Sequence, residues 1–207
     1  MYILRQAFEE AIHTHSYGVY MPEALGMDTS ELMNMYREVA SIHDKEEFGA
    51  RLTVDLLQPT FETESVDGKQ RLLKNLLGYY VITEGIFFYT TFVMLLSFGR
   101  QNRLPCVCEQ VQYILRDESM HLNFGIDLAL AIRQEEPEAW TDAVETWLVE
   151  SVREAVRLEV RHAQDSIPGG LLGLTDEMMR RYTEYIADRR LERLGLAKLF
   201  GSANPFP

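Results

Sequence analysis

Apolar residues recur at helical spacing along nearly the whole chain, and no stretch alternates cleanly with a period of two. The pattern predicts helices over seven segments: 2–25, 29–39, 44–57, 68–99, 104–133, 138–165 and 175–196. Several of them exceed the average of three turns, which favours a bundle of long antiparallel helices. Asp28 with Glu31 is typical of a helix start, and Pro105 suits a first turn. The sequence therefore predicts one all-α domain over residues 1–207.

The segment from Leu76 to Phe98 is apolar apart from one charged residue, Glu84. It is long enough to cross a membrane, but a helix that is apolar all round also occurs at the centre of a large bundle. We favour the buried helix, since no other stretch is comparably apolar. An ionised carboxylate at that position is costly unless it is protonated, paired with an arginine or bound to a metal.

Two Glu-x-x-His motifs, Glu10–His13 and Glu118–His121, give the first indication of chemistry. Three residues of spacing place a carboxylate and an imidazole on one helix face. Two such helices, facing helices that add further carboxylates, form the dimetal sites of four-helix bundles. We therefore expect these four residues and Glu84 to meet at a metal pair.

A third motif of the same spacing, Glu159–His162, lies in a strongly charged stretch. We interpret it as a solvated pair beside an apolar stripe, without a metal.

Tyr17 lies one turn beyond the first of these histidines. Three apolar side chains are spaced one or two turns from the expected ligands: Phe88, Phe92 and Ile114. If the helices meet at a metal pair, Tyr17 lies in a dry pocket that these side chains partly form. A phenol held there could keep a radical, although an ordinary core tyrosine is the alternative.

Asp117 is adjacent to the ligand Glu118 but turned about 100° around the helix. Metal-bound histidines commonly donate their second N–H to a carboxylate, so Asp117 is a candidate partner for His13. Arg116 would then balance its charge. The alternative is an Arg–Asp pair at the surface.

The formal charge of −12, from 32 acidic and 20 basic residues, argues against a nucleic-acid surface. Cys106 and Cys108 are the only cysteines, and a Cys-x-Cys pair closes no normal disulfide. With no signal peptide evident, the expected setting is the reducing cytoplasm.

Jointly, five segments resemble the small (beta) subunit of class I ribonucleotide reductase. They are Glu10-Ala-Ile-His13-Thr-His-Ser-Tyr17, Glu84-Gly-Ile-Phe-Phe-Tyr, Arg116-Asp-Glu118-Ser-Met-His121-Leu-Asn-Phe-Gly, Ile186-Ala-Asp-Arg-Arg-Leu-Glu-Arg-Leu-Gly195 and Asn204-Pro-Phe-Pro207. The resemblance covers essentially the whole chain and implies a ferritin-like helical bundle.

By this resemblance the metal ligands are Glu10, His13, Glu84, Glu118 and His121. It also implies that Tyr17 is the radical site, with Phe88, Phe92 and Ile114 in its pocket, and that Asp117 hydrogen-bonds a ligand histidine. The implied cofactor is two metal ions, Fe/Fe or Mn/Fe, with Mn/Mn left open. The implied reaction is oxygen activation, after which the oxidising equivalent passes to the large (alpha) subunit for deoxyribonucleotide synthesis. The family also implies a homodimer.

The sequence departs from the family in two places. An acidic ligand and a relay tryptophan are expected upstream of Glu10, and a flexible tail is expected after Asn204-Pro-Phe-Pro207. We therefore expect the chain alone to bind metal weakly and asymmetrically and to support no ribonucleotide reduction. The alternatives are another ferritin-like dimetal oxidase, an iron-storage-like protein, or an inactive fragment that serves as a dimerisation module.

Overall fold

The computed structural model describes residues 1–206, and these form helices joined by short turns. In chain order the elements are α1 Tyr2–His15, a π-helical turn Ser16–Tyr20, α2 Met21–Leu25, α3 Thr29–Glu38, α4 Ala40–Thr53, a 3₁₀ turn Val54–Leu57, α5 Val66–Leu77, a π-helical turn Gly78–Thr83, α6 Tyr89–Gly99, α7 Pro105–Glu135, a 3₁₀ turn Pro137–Ala139, α8 Asp142–Ser166 and α9 Asp176–Arg193. Within residues 1–206 no strand forms, so the all-α prediction is confirmed.

Most helix ends lie close to their predicted positions, and the exceptions have local causes. Asp28 caps α3 as expected, accepting hydrogen bonds from the backbone N–H groups of Ser30 at 2.8 Å and Glu31 at 3.3 Å. Helix α4 begins at Ala40 rather than at 44. Helix α8 begins at Asp142 rather than at 138, because Thr141 caps it after a short 3₁₀ turn.

The predicted helix over 68–99 is wrong, because the segment is interrupted near its middle. After α5 the backbone widens into the π-helical turn, where the N–H of Glu84 donates to the carbonyl of Tyr79 at 3.0 Å, five residues back. Residues 84–88 then form a turn before α6 begins. A Cβ at Gly85 would lie 2.2 Å from the carbonyl oxygen of Val81, so only glycine fits there. Apolar periodicity does not reveal this break.

In the described part of the chain, residues 1–206, no helix combines the length and the apolar character that crossing a membrane requires.

The main hydrophobic core lies where α5, the following π-helical turn, α7, α8 and α9 meet. Leu73, Ile82, Leu148 and Leu191 are fully buried there. A second cluster joins Met21, Phe92, Val107, Val111 and Ile114. Burying this apolar surface is the main source of stability. The second cluster packs against the first half of α7 and the main core against its second half.

The C-terminal segment is tied to α9 by one buried carboxylate. Asp188 accepts hydrogen bonds from the backbone N–H groups of Leu199 at 2.7 Å, Phe200 at 3.0 Å and Gly201 at 2.7 Å. Three donors on one buried acid fix the position of the chain after the last helix.

Helix α7 packs closely against the π-helical turn Gly78–Thr83, so a larger side chain at the contact is expected to lower stability. A Cβ at Gly125 would lie 2.0 Å from Cγ of the buried Tyr80, so Gly125→Ala is expected to lower the free energy of unfolding by about 1–3 kcal/mol through overpacking. Denaturant unfolding measures this. In the matched control Gly18→Ala, the new Cβ meets only Met33 Sδ at 3.7 Å, so little change is expected. Equal stabilities of the two variants would contradict the predicted clash.

Candidate metal centre

Helices α1 and α7 and the residue that follows the π-helical turn Gly78–Thr83 bring the predicted carboxylate and imidazole ligands together. One ligand atom from each of four side chains lies within 4.8 Å of all the others: Glu10, Glu84, Glu118 and His121. Of these, Glu84, Glu118 and His121 are at most 2% exposed, while the side chain of Glu10 is 34% exposed. The cluster is thus buried on the side of α7 and accessible on the side of Glu10.

His13 lies outside that group of four but contacts two of its members. Its Nδ1 is 3.1 Å from Glu118 Oε1 and 3.6 Å from Glu10 Oε2. On the other side, His121 Nδ1 is 3.1 Å from Glu10 Oε1 and 3.5 Å from Glu118 Oε2. The carboxylates of Glu10 and Glu118 therefore lie between the two imidazoles, where both could contribute ligand atoms to a metal site.

Each of the five predicted ligands has one buried atom that makes no hydrogen bond of acceptable geometry within residues 1–206, and the close contacts of these atoms are with other members of the cluster. These atoms are Glu10 Oε1, His13 Nδ1, Glu84 Oε2, Glu118 Oε2 and His121 Nδ1. Buried polar atoms are nearly always hydrogen-bonded, so five such atoms in one cluster indicate that they bind something else. Carboxylate oxygens and imidazole nitrogens suit first-row divalent metals. The residues present thus fit a metal pair.

The outer nitrogen of each histidine contacts a carboxylate from the opposite helix. His13 Nε2 on α1 is 3.4 Å from Asp117 Oδ2 on α7, and Arg116 donates to the other oxygen of Asp117 at 3.1 Å. His121 Nε2 on α7 is 3.0 Å from Glu9 Oε2 on α1, and Arg5 Nε donates to the other oxygen of Glu9 at 2.8 Å. Such contacts hold an imidazole in one orientation.

Sequence reasoning found Asp117 but missed Glu9, although the same signal marks both. An acidic residue immediately precedes the glutamate of each motif, in Glu9–Glu10 and in Asp117–Glu118. The third copy of the motif has Leu158 at that place. The acid before the glutamate therefore distinguishes the two motifs of the cluster from the third.

Glu84 is oriented by two further side chains that the sequence did not indicate. Gln6 Nε2 donates to Glu84 Oε1 at 2.9 Å, and Tyr80 donates its O–H to Gln6 Oε1 at 3.0 Å. Gln6 and Tyr80 are both buried. One oxygen of Glu84 is thus held, and its other oxygen is directed toward His121, 3.8 Å from Nδ1.

The pKa values of the cluster reflect the crowding of acids and imidazoles. Burial raises the pKa of Glu84 to about 8, and the charges of Glu118 and Glu10 add to this rise. Burial alone would lower the histidine pKa values, but the carboxylates outweigh it and raise His13 to about 10 and His121 to about 11.

Tyr17 packs against the second hydrophobic cluster, which contains Phe92 and Ile114. Burial, with a contribution from Glu118, holds the pKa of its phenol above the usual range, so Tyr17 stays protonated. Phe88 lies outside this cluster and is 36% exposed. The helix is interrupted at 84–88, but the ring centroids of Phe88 and Phe92 are still 6.3 Å apart.

The solvated interpretation of Glu159–His162 is also wrong. Glu159 is 0% exposed, and one of its oxygens lies 2.5 Å from Lys45 Nζ. Its other oxygen accepts a hydrogen bond from the hydroxyl of Thr90. Burial, with the nearby charge of Lys45, lowers the pKa of His162 to about 4. Neither Glu159 nor His162 belongs to the cluster of four ligand atoms.

The long helices bury two Glu-x-x-His motifs, each preceded by an acidic residue. This arrangement is typical of one class of protein, the helical bundles with a dimetal–carboxylate centre. The family model for the ribonucleotide reductase small chain matches residues 1–205, and the chain belongs to this family. Its fold is the ferritin-like bundle of that family.

The chain is 53% identical over 206 residues to the ribonucleoside-diphosphate reductase subunit beta of Chlamydia pneumoniae, covering 100% of this chain and 59% of that protein. It is 28% identical over 199 residues to the subunit of the same name in Treponema pallidum, covering 94% of this chain and 54% of that protein. Among solved structures, the ribonucleotide reductase R2 subunit from Clostridium botulinum matches with a TM-score of 0.83 and 26% identity, over 94% of this chain and 59% of the other. The chain thus spans less than two thirds of each.

The contacts to the outer histidine nitrogens predict an effect on metal affinity. Glu9→Gln and Asp117→Asn are each expected to weaken Mn²⁺ binding about 10- to 100-fold, since each replaces the charged acceptor that orients one imidazole. A titration in which free Mn²⁺ is quantified by electron paramagnetic resonance measures this. Asp127→Asn, also on α7 but 75% exposed, is the matched control and should bind like the wild type. Wild-type affinity in both test variants would contradict the role of these acids.

The low pKa of His162 predicts a pH-dependent stability. The unfolded histidine takes up a proton near pH 6.5, but the folded one does so only near pH 4, so protonation between these values favours unfolding. As the pH falls from 7 to 4, the wild type should lose about 3 kcal/mol more free energy of unfolding than His162→Gln. Urea unfolding at several pH values measures the difference. His43→Gln, at a side chain 54% exposed, should follow the wild type. Parallel curves for wild type and His162→Gln would refute the prediction.

Proposed function

We propose that the chain is the radical-generating part of a ribonucleoside-diphosphate reductase beta subunit, folded as one ferritin-like domain over residues 1–207. The observation that carries the proposal is the set of five buried ligand atoms without hydrogen bonds, on Glu10, His13, Glu84, Glu118 and His121. The relatives named as ribonucleoside-diphosphate reductase subunits support the choice of reaction.

In this proposal the five side chains bind two metal ions, Fe/Fe or Mn/Fe, with Mn/Mn also compatible with the donor set. When bound, such a pair would supply oxygen chemistry and with it an oxidising equivalent. The chain's own residues prepare the site for it. Glu10 and Glu118 lie between the two imidazoles, while Asp117 and Glu9 orient the rings.

Tyr17 is the proposed holder of that equivalent. Its phenol packs among apolar side chains and stays protonated, so oxidation requires loss of an electron and a proton together. Phe92 and Ile114 limit access of water and reductants to the ring. Phe88, which is more exposed, covers the edge of this region rather than its interior.

The proposed partner is the large (alpha) subunit of the reductase, which would receive the oxidising equivalent and reduce the ribonucleotide. We also propose a homodimer and a cytoplasmic location. Both cysteines are free thiols in the structure, Cys106 exposed and Cys108 buried, which suits a reducing compartment.

The radical site gives the test of the proposed function. After anaerobic iron loading and exposure to oxygen, the wild type should show a tyrosyl electron paramagnetic resonance signal that Tyr17→Phe lacks. Tyr20→Phe is the matched control, because Tyr20 is on the next turn but 59% exposed, and its signal should equal that of the wild type. Bound iron is quantified in all three proteins.

Equal iron content with a signal lost only in Tyr17→Phe supports the proposal. Iron binding without a tyrosyl signal in the wild type would favour another ferritin-like dimetal oxidase. Absence of bound iron would favour an inactive module that serves only in dimerisation.

A further inference from the structure

In the segment that carries Glu84, the backbone carbonyls of Gly85 and Phe87 lie outside any helical ladder. Within residues 1–206, neither the carbonyl of Gly85 nor that of Phe87 accepts a backbone hydrogen bond. Both accept from cationic side chains instead. Arg190 Nε donates to the Gly85 oxygen at 3.0 Å, and Lys45 Nζ donates to the Phe87 oxygen at 2.9 Å. The interruption is therefore held by charged donors from α9 and α4.

Lys45 makes a second set of contacts, with Glu159 and with the Phe87 ring. Its Nζ lies 2.5 Å from Oε2 of Glu159 on α8, which is fully buried, and 5.1 Å from the centre of the Phe87 ring. The other oxygen of Glu159 accepts from Thr90, the second residue of α6. One chain of contacts thus joins α4, α8, the turn at 84–88 and the start of α6.

We propose that Lys45, held by Glu159, is a positioning residue for the proposed metal ligand Glu84. The ammonium group fixes the carbonyl of Phe87, and the hydroxyl contact fixes the helix that follows. Together they hold the downstream end of the turn that begins at Glu84. The inference rests on the proposed metal centre, since it concerns the place of one of its ligands.

A merely structural role predicts something different. If Lys45 serves only to neutralise the buried charge of Glu159, then removing both charges should restore the wild-type protein in all respects. If Lys45 positions the turn through the Phe87 carbonyl, removing both charges restores stability but leaves that carbonyl without its donor. The double variant Lys45→Met/Glu159→Gln separates the two cases, because glutamine keeps an oxygen for Thr90.

Two measurements are made on the double variant and the wild type. Mn²⁺ binding is titrated, and hydrogen–deuterium exchange of the amides at 84–89 is followed in metal-free protein. We expect melting temperatures within a few degrees of each other, Mn²⁺ affinity reduced about 10-fold or more, and faster exchange confined to 84–89. Lys69→Met is the matched control, since it removes a lysine whose partners Glu136 and Glu138 have side chains that are 40% and 44% exposed. The affinity and exchange of this variant should not change.

Wild-type affinity and exchange in a stable double variant would overturn the proposal. Should the double variant not fold, Thr90→Val provides the second test: it leaves the Lys45–Glu159 pair intact and should change both measurements in the same direction. Unchanged values there would equally overturn it. If the wild type binds no Mn²⁺, the proposed metal centre fails, and the exchange at 84–89 alone decides whether Lys45 holds the turn.

Discussion

The rest of the structure depends on the burial of two carboxylates and two imidazoles at one place, beside a third carboxylate, Glu10, that is partly exposed. Glu84, Glu118 and His121 are almost inaccessible to water, so their charges are balanced only by protons or by bound cations. This constraint explains the raised pKa values of Glu84 and the histidines. It also explains why so many neighbours orient the ligands rather than neutralise them: Gln6 holds Glu84, and Asp117 holds His13.

The two ligand helices hold each other's histidines. Helix α1 supplies the acid for the histidine of α7, and α7 supplies the acid for the histidine of α1. Each of these acids is bound in turn by an arginine on its own helix, Arg5 or Arg116. A slide of one helix along the other would break both contacts at once, so the pair fixes the relative height of the two helices. Electrostatic contacts thus set a geometry that apolar packing alone leaves adjustable.

The sequence predicted the helices and the residues that meet, because helix periodicity and motif spacing are local properties. It did not predict what depends on neighbours distant in the chain. The stretch around Glu159 is charged, yet its buried face meets Lys45 of another helix, which no local pattern reveals. Gln6 was missed for the same reason, since its partners are 74 and 78 residues away. Glu9 could have been predicted from the sequence, because it immediately precedes the glutamate of its motif, as Asp117 does.

The number of residues in the π-helical turn before Glu84 affects the direction in which the Glu84 carboxylate points. A regular helix advances each residue by about 100°, and the wide turn holds one more residue than a regular turn would. Deleting one residue from Gly78–Thr83 would restore the regular spacing and rotate Glu84 away from His121, although every side chain at the centre would be kept. The place of this carboxylate is therefore encoded by a count of residues as much as by their chemistry. If two sequences align with a one-residue gap in Gly78–Thr83, the carboxylates at the position of Glu84 would point in different directions in the two proteins.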